Sequence, residues 1–214
     1  MHSLAPGSGH LIARSDDFPP KNLETLVGGS ADIRQLWEAF SFRPAVFNNL
    51  KNALNGLEFG YGYERDRLSL VFAPHGPASA YNYNDYIWKT YRIGEAMNLR
   101  DANGDLVTSN LYLKPNPSLS GSPDLDDERG THQDTSIEKL QERGVVFLAC
   151  ATALQEQARI VRDAGFAPSG MSATDIASDM LNNLIPGTRL VPSMVATIAI
   201  LQLEHGYSYI TIAF

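Results

Sequence analysis

The chain has 214 residues, 43% of them apolar, enough for a buried core in one domain of ordinary size. Its 17 basic and 24 acidic residues leave a net charge of −7, which excludes the basic footprint of a general nucleic-acid binder. One cysteine excludes an internal disulfide framework and a cysteine-rich zinc site, and no apolar run nears the roughly 20 residues of a membrane span.

Residues 1–29 are rich in Gly, Pro and Ser and close on Gly28-Gly29-Ser30. That composition predicts an arm, ordered in part at most, ahead of a single domain over residues 30–214. The first residues carry no basic stretch followed by an apolar one, so no signal peptide is read. The expected compartment is periplasmic if an export leader has been trimmed, and otherwise cytoplasmic. Over residues 31–40, Ile33, Leu36, Trp37 and Phe40 recur at helical spacing, with a first strand as the competing reading. Pro44 suits the first turn of a helix that carries Val46, Phe47, Leu50, Leu54 and Leu57 at helical period. Leu68 to Ala73 reads as a strand, stopped by Pro74-His75-Gly76-Pro77.

Residues 81–97 hold the aromatics Tyr81, Tyr83, Tyr86, Trp88 and Tyr91, with Asn84 or Asp85 to cap a helix. Residues 100–133 lack any period and form a long insertion, with the acidic patch Asp124, Asp126, Asp127 and Glu128 inside it. Thr135-Ser136-Ile137-Glu138 fits a capping box before a short helix that Gly144 ends. Val145 to Cys150 is then an apolar strand, and strong helix formers follow from Ala151. A weaker capping signal at Ser172 to Asp175, a short strand at Thr188 to Val191, an apolar helix from Met194 and a strand from Tyr207 complete the chain. Strands alternate with helices, which specifies an α/β fold: a mainly parallel sheet with helices on both faces, in three layers.

In such a sheet, ligands bind beyond the carboxyl ends of the strands. Cys150 ends one strand at the start of a helix, and His75 follows another, so both are expected at that edge. An imidazole there can take a thiol proton or hold a thiolate. These are the two candidate catalytic residues. The plainer alternatives stay open: free cysteine often fills space in a core, and a histidine in a turn can bond its own backbone. Gly76, Pro77 and Thr152 are candidates to shape a pocket. Tyr81, Tyr83 and Trp88 are candidates to wall it, or else core or subunit contact. The five histidines are scattered without metal-ligand spacing, so no metal is expected. No G-x-G-x-x-G, phosphate loop or G-x-S-x-G occurs, and no cofactor is expected.

Several segments together resemble the DsrE/DsrF-like family. They are Gly144 to Cys150, Leu184-Ile185-Pro186-Gly187, Leu190-Val191-Pro192-Ser193-Met194-Val195-Ala196, and Leu201 to Ile210. The earlier stretches Asn48 to Asn55 and Leu70 to Pro77 are similar to that family's first helix and second strand. The likeness spans about residues 31–99 and 131–214, and it is nearest to an uncharacterised branch whose members often carry a twin-arginine export leader. It implies a strand at residues 31–40, a homo-oligomer, and an α/β domain of the kind read above. Some relatives carry sulfur as a cysteine persulfide and pass it on. For this chain the resemblance implies sulfur handling on Cys150, sulfurtransferase-like, with a thiol-bearing acceptor as partner. The alternative is a non-catalytic oligomer that binds a small ligand or a partner. A third reading is an apolar-pocket enzyme using His75 and a tyrosine.

Overall fold

The structure, a computed structural model, describes residues 12–18, 21–27 and 29–211. Within them, five parallel strands alternate with helices: α1 (Lys21–Val27), β1 (Ile33–Ala39), α2 (Ala45–Asn55), β2 (Leu68–Pro74), α3 (Asp85–Thr90), α4 (Ile93–Ala96), α5 (Ile137–Glu142), β3 (Val146–Cys150), α6 (Ala151–Asp163), α7 (Ala173–Asn182), β4 (Arg189–Val191), α8 (Met194–Leu203) and β5 (Ser208–Thr211). The sheet order is β4-β3-β2-β1-β5. From β1 to β4 every step goes the same way, so right-handed crossovers put α2 to α7 on one face. The return step to β5 carries α8 to the other face, where α1 joins it. The cores agree. One holds Phe47, Leu50, Phe72, Trp88 and Phe147 under α2 to α7. The other holds Val27, Leu36, Val71, Leu148, Met194 and Leu201.

The stretch 31–40 is a strand, although its apolar spacing also fits a helix. β1 pairs with β2 on one side and β5 on the other. That double pairing satisfies the backbone and sends Leu36 and Trp37 into opposite cores, burial that a surface helix could not match. The predicted arm is only partly comparable, because residues 1–11, 19, 20 and 28 lie outside the described residues. Among those described, residues 21–27 form α1, held where Arg34 donates to the carbonyls of Val27 at 3.0 Å and Gly29 at 2.7 Å. The expected strand end at residues 212–214 also lies outside the described residues.

Local signals account for several boundaries. Asn84 caps α3 by accepting from the Ile87 amide at 3.0 Å, and Ser136 caps α5 by accepting from Lys139 at 3.2 Å. Ser172 and Asp175 form a reciprocal capping box at α7. The insertion at residues 100–133 has no helix or strand until a single turn at Thr131–Gln133. It is held by side chains that bond the backbone nearby, such as Asp101 to Asn103 and Asp105, and Asn116 to Ser118. Asn110 anchors it by donating to the carbonyls of Tyr81 and Tyr83. No helix among the described residues is long and apolar enough to cross a membrane.

Candidate functional site

The carboxyl edge is where the connections diverge. β3 feeds α6 on one face and β4 feeds α8 on the other, which makes the gap between them the switch point of the sheet. Cys150 sits there. Its sulfur accepts two backbone N–H groups, from Ala153 at 3.4 Å in the first turn of α6 and from Met194 at 3.3 Å in the first turn of α8. Ser193 precedes α8 at the N-cap position, but its side chain makes no cap bond. The Met194 amide goes to sulfur instead. The thiol is 6% exposed, among Val71, Ala73, Leu148, Val191 and Ile198.

Residues Val71 and Phe72 pair with Val146 and Phe147. Carrying that register to the strand ends sets His75 level with Cys150. The extended backbone of His75 (φ −146°, ψ 174°) continues the strand, and its N–H donates to the Ala39 carbonyl at 3.0 Å. The sequence thus brings the two residues to one edge, but no hydrogen bond joins ring and thiol. His75 Nε2 lies 2.7 Å from Glu38 Oε1 instead, an ion pair when the ring is protonated. Glu38 Oε2 accepts from the Tyr209 hydroxyl of β5. This hydrogen bond, with partial burial, holds the Tyr209 phenol above its ordinary value. The chain Tyr209–Glu38–His75 therefore spans three adjacent strands, and its two ionisable ends share one carboxylate.

Phe40 closes over this group. Its ring packs edge-on against His75 with centroids 5.2 Å apart. Gly76 makes that approach feasible: its φ is +56°, and a Cβ there would lie 2.6 Å from the Phe40 ring. Phe40 also lines an open groove of about 580 Å³ with Arg43, Pro77, Met97, Arg100 and Asp101. Thr152 is exposed and donates to the Pro192 carbonyl at 3.0 Å, tying the start of α6 to the turn before α8.

Of the two readings of Tyr81, Tyr83 and Trp88, pocket wall or core, the structure overturns the first and bears out the second. All three are buried to within 1%, because residues 76–90 fold under the sheet rather than over its rim. Their polar atoms are satisfied internally. Tyr81 exchanges hydrogen bonds with the Arg43 backbone, and Trp88 donates to the Ala80 carbonyl at 3.2 Å. Tyr83 donates to Gln157, which donates at 2.7 Å to the Gly76 carbonyl, so Tyr83 braces the turn that carries His75. Burial, with Cys150 nearby, pushes the Tyr83 phenol far above its ordinary range.

Sequence reasoning missed Glu38, Tyr209 and Gln157. A carboxylate between the apolar residues Trp37 and Ala39 was a readable signal for Glu38. Tyr209 needed the strand order. His132 sits against Phe59, with centroids 4.9 Å apart, and does not reach His75. His2 and His10 lie outside the described residues. Among the described residues, no group of three His, Cys, Asp or Glu could hold a metal ion. The chain matches no known family model, no curated protein and no solved structure.

Proposed function

We propose that the protein binds a small acidic molecule with an apolar body in the groove at its carboxyl edge, and that His75, which lies against Phe40 rather than in the groove lining, exchanges a proton with it once that ring moves. The observation that carries this reading is the Tyr209–Glu38–His75 chain at the strand ends. A carboxylate that orients an imidazole is the arrangement of general acid–base sites. Arg43 and Arg100 in the groove supply charge for an anionic group, and Phe40 and Met97 supply apolar wall. Benzoate is a suitable probe. It should perturb the His75 ring resonances saturably, and combined Arg43→Gln and Arg100→Gln should weaken binding about tenfold or more. A non-saturating response, or one indifferent to both arginines, rejects the reading.

Sulfur handling on Cys150 is the second reading. It draws on the DsrE/DsrF-like resemblance and on the two N–H groups aimed at the sulfur. The thiolate would attack the outer sulfur of thiosulfate, form Cys–S–S⁻ and release sulfite, and a partner thiolate would then take the terminal sulfur. The first turn of α8 must move for this, because the thiol is buried. Incubation with thiosulfate should add one sulfur atom to the intact mass, and none in Cys150→Ala. Absence of the adduct in the native protein eliminates this reading. The homo-oligomer that the resemblance implies has support in the outer side of α8, where Val195 and Leu203 are 63% and 86% exposed. Light scattering tests it, with a monomer as the excluding result.

A further inference from the structure

The amino edge of the sheet carries a different group. Glu58, in the turn after α2, pairs with Arg143 Nη2 at the end of α5 and lies 3.6 Å from Arg65 Nε, just before β2. The side chains of Arg143 and Glu58 are 9% and 15% exposed. Lys51 of α2 is also buried, and its ammonium donates to a neutral partner, Gln133 Oε1, at 3.0 Å. Arg65 and Arg143 therefore share one carboxylate, and Lys51 lies close enough to Arg143 to feel its charge. Nε and Nη1 of Arg65 and Nη1 of Arg143 are buried without hydrogen-bond partners. Such groups are destabilising unless something accepts from them.

The surrounding chain is shaped to hold this surplus. Gly144 (φ +81°) lies beneath the Arg65 guanidinium, and a Cβ there would come within 2.7 Å of Nη2. Burial first, and then the charge of Arg143, holds the Lys51 ammonium below its ordinary value. Burial and Arg143 likewise depress Arg65, against the pull of Glu58. The Arg65 side chain is 30% exposed as a whole, while its Nε and Nη1 are themselves buried. The aromatic rings of Phe59 and Tyr61, 48% and 80% exposed, stand on the adjoining turn.

We infer that this cluster is a binding site for a phosphate group, with the free donors of Arg65 and Arg143 gripping its oxygens and Lys51 balancing its second charge. Planar guanidiniums suit phosphate because they offer paired N–H groups in a fixed geometry. The site is separate from the His75 edge and stands without it. The exposed rings beside it fit a phosphate monoester with an aromatic body as well as the free ion.

The test is calorimetric titration of the full chain with sodium phosphate and with phenyl phosphate, against sodium chloride at matched ionic strength. Saturable heat with phosphate is expected, abolished or weakened at least tenfold in Lys51→Met and unchanged in Lys89→Gln, an exposed cation on α3. Tighter binding of phenyl phosphate assigns the site to monoesters, and equal binding assigns it to the free ion. Should Lys51→Met fail to fold, Arg65→Gln gives the same readout at a more exposed position. No saturable heat, or an affinity that neither variant changes, overturns the inference.

Discussion

At the carboxyl edge, Glu38 is shared between His75 and Tyr209, and the Cys150 sulfur takes two amide protons. At the amino edge, Glu58 faces Arg65 and Arg143, with Lys51 beside them, and three guanidinium nitrogens make no hydrogen bond, one of them Arg65 Nε at ion-pair distance from Glu58. Both edges belong to one parallel sheet, and both place charge in part-buried surroundings. They differ in whether that charge is matched from within. A matched group can hold a defined protonation pattern for chemistry. An unmatched one stores an unmet demand for a counter-charge, which is what a binding site for an anion requires.

The largest expected effect comes from deepening the mismatch. Glu58→Gln leaves the cations with no carboxylate and should destabilise the fold by about 3–5 kcal/mol in urea denaturation. A loss under about 1 kcal/mol would show that the surplus is already screened by water. Next comes the matched edge. Gly76→Ala forces an unfavourable φ and drives a methyl group into Phe40, so about 2 kcal/mol should be lost, with perturbed His75 ring signals. Unchanged signals would detach Phe40 from the histidine.

A pH comparison tests the braces beneath that edge. The Tyr83 phenol is raised by burial. In the unfolded chain it ionises near its ordinary value of about 10, so the folded state keeps the proton when the unfolded state has lost it. Its stabilising share is complete below about pH 10 and falls as pH rises from there. Tyr83→Phe should lower stability at pH 8 by about 1 kcal/mol, because Gln157 loses a donor, yet lose less than the native chain between pH 8 and pH 11. Parallel losses would remove Tyr83 from the alkaline transition. The smallest effect belongs to an exposed pair. Lys114→Ala breaks a contact with Glu138 at a side chain that is 72% exposed, and should stay within about 0.5 kcal/mol.

Much of the fold was legible because its signals are local. Gly144, the apolar run to Cys150 and the helix formers after it describe β3 and α6 without help from the rest of the chain. The caps at Asn84, Ser136 and Ser172 are likewise short-range chemistry. Residues 31–40 were ambiguous because Ile33, Leu36, Trp37 and Phe40 fit helical spacing while a strand buried on both faces needs no alternation, and only pairing on both flanks decides. The site was half legible. The strand ends placed Cys150 and His75 on one edge, but the partner of His75 depends on β5 lying beside β1, a neighbour relation with no local trace. The aromatic run at Tyr81 to Trp88 reads equally as wall or core, since composition does not say which side of the sheet a connection takes. The cationic cluster draws single residues from four segments and shows no spacing at all.

The position of β5 has a consequence for biosynthesis. Among the described residues, one flank of β1 is paired by residues 208–211. At about 5–20 residues per second, a ribosome leaves that flank bare for roughly 10–30 seconds. A bare strand flank templates pairing with other chains, so the nascent protein is exposed to misassembly until β5 docks. The same docking event delivers Tyr209 to Glu38, so completing the sheet and completing the proton chain are a single step.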